Sequence, residues 1–154
     1  MISKVSKGFL ASAVVLVLGA GAAYAALAGD DAITARQTCM KASGKAMGTM
    51  VPMIKGEKPY DAAAVKAVLD ADGAACAKWA EFWPEDSKTS KTLKTRAKEE
   101  IWTDPKGFEA AGGTYYKAFT ELAATTDEAG FKAKFPALGA ACGGCHEKFR
   151  APAP

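Results

Sequence analysis

Cys142-Gly143-Gly144-Cys145-His146 is the run of residues with the clearest chemistry in this sequence. On a helix, positions i, i+3 and i+4 share a face, so both sulfurs and the imidazole point the same way. This is the pattern that attaches a c-type haem: thioethers from both cysteines to the vinyl groups at the porphyrin edge, and an imidazole one residue further on that reaches the iron. The glycines between the cysteines let the macrocycle lie close to the backbone. Rival chemistries fit less well. A thioredoxin-type pair belongs in a βαβ setting, which the sequence lacks, and it leaves His146 unexplained. Zinc would need a fourth ligand, and Cys39 and Cys76 are not spaced as a second pair. A Cys/His catalytic dyad gives the paired spacing no purpose. His146 is the only histidine in the chain, which excludes two-histidine ligation and a second haem motif.

Four amphipathic stretches must position this motif. Ile33, Gln37, Met40, Gly44, Met47, Val51 and Ile54 recur at intervals of four and three, the stripe of a first helix that stops around Pro52 to Gly56. Asp61 reads as the N-cap of a second helix, with Val65, Val68, Leu69, Cys76, Trp79 and Trp83 inward and Pro84 as its end. Residues 85–100 are polar and show no apolar period. Lys88, Lys91, Lys94, Arg96 and Lys98 follow one another there without an acid, so the segment is predicted to be a long exposed connection. Asp104-Pro105 opens a third helix that carries Phe108, Ala111, Tyr115, Phe119 and Leu122 inward. Thr126 or Asp127 caps a fourth, with Phe131, Phe135, Leu138, Cys142, Cys145 and Phe149 inward and Pro136 as a kink or a division. Short links at the first and third junctions predict an all-α fold, an antiparallel up-down-up-down four-helix bundle.

Composition agrees. The chain has 154 residues, enough for one domain, with 49% hydrophobic and 24% charged residues, the balance of a folded protein. Twenty Lys+Arg against seventeen Asp+Glu give +3, too mild for a nucleic-acid partner. Residues 1–25 read as a cleaved secretory signal: Lys4 and Lys7, an apolar centre over 9–20, and the small-x-small triplet Ala23-Tyr24-Ala25. A second cut is available after Ala28, and the alternative is an uncleaved membrane anchor. Cleavage leaves 26–154 as the haem-binding bundle, with two lysines fewer and a net charge of +1. The mature protein is then exported, in the periplasm, with no membrane segment, and in a compartment that permits disulfides. Cys39 and Cys76 lie equidistant from the 57–58 peptide, the middle of the first turn, so antiparallel helices bring them level and predict a disulfide. Two small buried thiols are the alternative.

The other face of the iron needs a different residue. No methionine follows His146, so any thioether must come from Met40, Met47, Met50 or Met53 in the first helix. In an up-down-up-down bundle the end of the fourth helix lies beside the start of the first. Met40 is therefore the level candidate, and Met47 lies about 10 Å further along the axis. Packing and loop cover account for Met47, Met50 and Met53, and core filling is also the alternative for Met40. Trp79, Trp83 and Trp102 are read as aromatic packing, and Glu85-Asp86 and Glu99-Glu100 as solvated charges.

The stretch Phe135-Pro136-Ala137-Leu138-Gly139-Ala140-Ala141-Cys142-Gly143-Gly144-Cys145-His146-Glu147-Lys148-Phe149-Arg150 resembles the class II cytochromes c, the cytochrome c′ family. So do Lys55-Gly56-Glu57-Lys58-Pro59-Tyr60-Asp61-Ala62-Ala63, Ile101-Trp102 with Asp104 and Phe108, and Arg36-Gln37. The resemblance implies a periplasmic haem c in a four-helix bundle with His146 as proximal ligand. Five-coordinate members have Leu or Phe on the distal side and bind NO or CO, and low-spin members have Met there and transfer electrons. Met40 stands at that position. The same resemblance brings Arg36 and Gln37 toward the haem propionates and sets Arg150 beside the proximal histidine; for Arg36 a solvated helix residue is the alternative. Lys98-Glu99-Glu100 departs from the family, which often has Pro where Glu99 stands.

These readings converge on a periplasmic one-electron carrier with Met/His ligation, which raises the reduction potential. The alternative is a five-coordinate cytochrome c′ that sequesters or senses NO, with Met40 packed over the iron. An enzyme is not expected, since no second histidine is available for distal proton transfer. The expected partners are redox proteins. The Lys88–Lys98 run could dock an acidic one, though a soluble surface loop explains it more simply. The family also admits homodimers built on the first two helices.

Overall fold

The computed structural model describes residues 27–153, so the 1–25 leader and its anchor alternative lie outside the described residues. Helix α1 spans Gly29–Ile54, with Asp30 and Asp31 in the first turn, where carboxylates meet the unpaired amide end. It runs through Pro52, and just past its Lys55 cap stands Gly56, whose φ of +74° is the left-handed conformation that glycine adopts without strain. There the Gly56 N–H donates to Met53 O at 3.2 Å, and the Glu57 N–H to Pro52 O at 2.9 Å. Helix α2 spans Ala62–Cys76, and its Asp61 cap accepts from Ala64 N–H at 3.0 Å. The second long pair follows a connection with two short 3₁₀ turns, Trp79–Phe82 and Glu85–Ser87, and a four-residue helix α3, Glu100–Thr103. Helix α4 (Pro105–Ala123) starts under the Asp104 cap with Pro105 in its first turn, and α5 (Glu128–Phe149) starts under Asp127. Pro136 sits inside α5 without dividing it.

The long helices form the antiparallel four-helix bundle. Residues of all four, among them Met50, Met53, Val65, Leu69, Ala118, Leu122, Phe131, Phe135 and Leu138, meet in one core. That core lies toward the end closed by the 55–61 and 124–127 links. The other end is packed by aromatics: Trp83 meets Trp79 and Phe108 at 4.7 Å between ring centroids, and Phe108 meets Phe149 at 5.1 Å. Among the described residues no helix is long and apolar enough to cross a membrane.

Three expectations are corrected. The buried row of α1 is Ile33, Arg36, Cys39, Ala46, Met50 and Met53, one residue behind the predicted stripe after Ile33. Apolar periodicity excludes an arginine from the inner face, whereas here Arg36 has specific buried partners. The second helix stops at Cys76, and Trp79–Phe82 form a single 3₁₀ turn. The Cys39–Cys76 link holds α2 against α1, and the chain then turns across the bundle end to stack its tryptophans on Phe108. The 85–100 connection is not freely exposed, because Ser87 is wholly buried and Leu93 half-buried.

Candidate functional site

The last turns of α5 carry Cys142, Cys145 and His146 on one face, all half-buried. Burial pushes both thiols above the ordinary cysteine range, and the nearby Asp72 and Cys145 add to this at Cys142. A reactive thiolate or dithiol redox pair needs the reverse shift, so the environment speaks against that chemistry. Burial lowers the His146 imidazole below its usual value, with Arg150 and Arg96 adding to the effect, which favours the neutral ring that can ligate a metal. Gly143 and Gly144 are exposed, and a Cβ built on either meets no protein atom within 4 Å. The protein by itself therefore gives no reason for glycine at either place.

A strap of extended chain joins this end of α5 to α1. Lys98 N–H donates to Phe149 O at 3.1 Å and Ala151 N–H to Arg96 O at 2.8 Å, making an antiparallel bridge of Ala97 with Arg150. The Arg96 guanidinium adds two bonds to Ala151 O, at 2.6 and 2.9 Å. Two residues before Arg96, Lys94 O accepts from Gln37 Nε2 at 2.7 Å. Arg36 lies beside Gln37 and is only 5% exposed, which overturns its reading as a solvated residue. Its guanidinium donates to Ser87 O at 2.8 Å, Ser87 Oγ at 2.9 Å and Phe82 O at 3.2 Å. It also lies 4.8 Å from the centre of the Trp83 ring. In this structure Arg36 and Gln37 anchor the connection, and Arg150 lines the same cleft as His146.

The strap sets a register. Gln37 on α1 and Arg150 at the end of α5 both contact it, and the helices run in opposite directions. Met40, three residues on from Gln37, and His146, four residues back from Arg150, therefore lie about 5 and 6 Å above the strap. Met40 is 37% exposed, whereas Met50 and Met53 are buried in the core and Met47 is half-buried. Its neighbour Cys39 forms the disulfide to Cys76 with Cα atoms 4.9 Å apart, as the symmetry about the first turn predicted. One helical position, about 100°, thus separates a residue tied to α2 from a sulfur left free.

A cleft of about 600 Å³ opens beside His146, lined also by Arg96, Lys98, Gly143, Arg150 and Ala151. Its charged lining is Arg96, Lys98 and Arg150 together with the carboxylate of Glu147, and Cys142, Cys145 and Met40 lie outside it. The indole Nε1 of Trp83 is buried with no acceptor among the described residues, a donor left over at the same end of the bundle. Two thiols and an imidazole on one face, a free thioether and one unmatched indole donor together fit a haem. Part of the basic run is already neutralised: Lys88 pairs with Glu85, and Lys98 with Glu100 at 3.3 Å. Sequence reasoning missed Asp72, which is buried at 2% exposure near Cys142. Its signal was available, since Asp72 continues the Val65–Leu69 stripe at helical spacing.

The family model described as Cytochrome C′ matches residues 31–150. A cytochrome c′ of Alcaligenes xylosoxydans xylosoxydans is 31% identical over 125 residues, which cover 79% of this chain and 94% of the relative. A cytochrome c-556 of Agrobacterium fabrum is 34% identical over 135 residues, 86% of this chain and 87% of the relative. Among solved structures, cytochrome c prime from Alcaligenes xylosoxidans, a ferrous variant with bound NO, superposes with a TM-score of 0.70 at 28% identity, covering 82% of this chain and 98% of that one.

Proposed function

The chain belongs to the cytochrome c′ family and carries haem c on Cys142 and Cys145, and from that premise we propose that it is a periplasmic one-electron carrier, ligated by His146 and Met40. Bound haem supplies a ferric/ferrous couple. The protein's residues supply its setting. Cys142 and Cys145 fix the edge of the group, and His146 offers a neutral nitrogen. Met40 offers a thioether, and the Met/His pair raises the potential by suiting the ferrous state. Gln37 and Cys39, both just before Met40, tie the backbone that leads into it to the connection and to α2. Arg150 and Arg96 stand beside the imidazole and can receive negative charge. The exposed Lys91 and Lys94 are the part of the basic run open to an acidic redox partner.

The observation that carries this reading is the exposure of Met40 at the level of His146, while Met50 and Met53 are consumed by the core. Absorption spectroscopy of the purified ferric protein tests it. A methionine-to-iron charge-transfer band with slow CO binding is expected, and Met40→Ala should convert this to a high-spin spectrum with prompt CO binding. High-spin bands in the unmodified protein would reject the carrier. They would favour the second reading, a five-coordinate gas binder, which draws support from the NO-bound neighbour.

A further inference from the structure

Arg36 and Trp83 each lack a partner of the kind that burial demands, and they lack it in the same place. Arg36 is 5% exposed, yet its guanidinium meets only neutral acceptors: Ser87 O and Oγ, Phe82 O and, at 3.4 Å, Thr95 Oγ1. Among the described residues it forms no ion pair. Lys88, which stands over the neighbouring Trp102 ring, has Glu85 as its counter-ion. A guanidinium does not lose its proton inside a protein, so the Arg36 charge persists where it is buried. Buried charges are ordinarily paired with an opposite one.

Trp83 supplies the second deficit. Its side chain is half-buried, its Nε1 is fully buried, and no oxygen among the described residues accepts from it. The equivalent donor beside it is matched, since Trp102 Nε1 donates to Trp83 O at 2.9 Å. Packing accounts for the Trp83 ring, which meets Trp79 and Phe108 edge-on at 4.7 Å between centroids. A ring face is a far weaker acceptor than an oxygen, so these neighbours do not answer the N–H. Buried donors are nearly always answered. The Arg36 guanidinium carbon lies 4.8 Å from the centre of the Trp83 ring. The unmatched donor and the unpaired charge therefore belong to one stacked pair of side chains.

An anion that offers an oxygen satisfies both. The pair stands one ring away from the haem-bearing end of α5: Phe108 meets Trp83 at 4.7 Å and Phe149 at 5.1 Å, and Phe149 is three residues beyond His146. Haem c carries two carboxylates, on the side of the ring opposite its thioethers, so the groups that receive them belong to elements other than the helix holding Cys142 and Cys145. We propose that Trp83 is a haem-binding residue: its indole N–H donates to one haem propionate, and Arg36, held against the ring face, is the charge that attracts that carboxylate. Arg36 then acts at a distance while its own N–H groups stay on the connection. A cation on the ring face also favours an anion at the N–H edge, by direct attraction across a medium of low polarity. This deepens the haem c reading and rests on the covalent haem alone, whichever residue stands on the distal side of the iron.

Resonance Raman spectra of wild-type and Trp83→Phe holoproteins test the contact. Phenylalanine keeps a ring for Phe108 and Arg36 to pack on and removes the N–H. The propionate bending band should shift in the variant while the bands of the porphyrin core stay in place. Ultraviolet excitation of the same samples should show that the variant has lost one strongly hydrogen-bonded indole. A propionate band that does not move, or one that moves together with the core bands as general loosening would cause, overturns the assignment. A crystal structure of the wild-type holoprotein decides the matter even if Trp83→Phe does not fold. A propionate oxygen about 2.9 Å from Trp83 Nε1 is expected, and a water or a protein acceptor in its place overturns the assignment. Haem staining of a denaturing gel tells the two failures apart: covalent haem with an unmoved propionate band rejects the Trp83 contact and spares the haem reading, whereas a chain without covalent haem rejects both.

Discussion

Replacing Arg36 with Met separates a structural anchor from a haem contact. The guanidinium donates three bonds of 2.8 to 3.2 Å into buried protein acceptors. Ser87 Oγ keeps another partner, since it donates to Pro84 O at 2.7 Å. Removing the donor therefore orphans mainly two carbonyls, Ser87 O and Phe82 O, at about 1 to 3 kcal/mol each. The lost contact with the Trp83 ring adds about 1 kcal/mol, and relief from burying a charge returns part of the total. A net destabilisation of about 3 kcal/mol follows, which lowers Tm by roughly 10 °C in a domain of this size. Thermal melts of the holoprotein by circular dichroism measure it, with hydrogen exchange to localise the loss to residues 82–95. Arg36→Lys should fall between, because one ammonium cannot span acceptors that a planar fork reaches together. A change below about 1 kcal/mol, together with a clear shift of the haem potential, would refute the anchor and favour the propionate contact that family resemblance implies.

Other outcomes follow from the same geometry. Removing the disulfide as Cys39→Ala with Cys76→Ala, a separation of 37 residues, should cost about 4 kcal/mol in urea titrations of the holoprotein. Alkylation of the unreduced wild type should find no free thiol at either position. Asp104 accepts from Gly107 N–H at 3.0 Å and pairs with Lys148; this ion pair first, and the cap second, hold its carboxyl below the ordinary aspartate range. A depressed carboxyl contributes its full stability above its unfolded value, near pH 4, and loses it as pH falls through the lower folded value. Urea midpoints of wild type and Asp104→Asn should accordingly differ at neutral pH and converge in acid. A difference independent of pH would contradict this. Cys142→Ala with Cys145→Ala should release its haem on a denaturing gel, whereas either single variant should retain it by one thioether.

Much of the bundle was legible because its signals are local. Asp61 and Asp104 cap the helices they were predicted to start, and of Thr126 and Asp127 it is Asp127 that caps the last, since a cap depends only on a side chain and an amide three residues on. The Cys39–Cys76 pairing was legible from symmetry about one short turn. What failed was non-local. The inner row of α1 was displaced by one residue because Arg36 is buried by acceptors some 50 positions away in the chain. The second helix was read seven residues too long, because the tryptophans that looked like its inner stripe pack instead on α4 and Phe149 is added beneath them. Asp72 escaped notice because an acid on an apolar stripe has meaning only once Ser43 and Tyr115 are seen to meet it.

By itself the sequence determined the covalent chemistry: which sulfurs hold the group, which imidazole stands beside them, and that four helices surround them. Those depend on spacing along one helix and on periodicity, quantities that a linear chain carries. Only the tertiary structure decided that Met50 and Met53 are buried while Met40 is exposed, that Arg36 is an anchor, and that a carboxyl lies buried near Cys142. These are distances between residues far apart in the chain, and they exist only after the strap at 94–98 and the disulfide have set the helices in register.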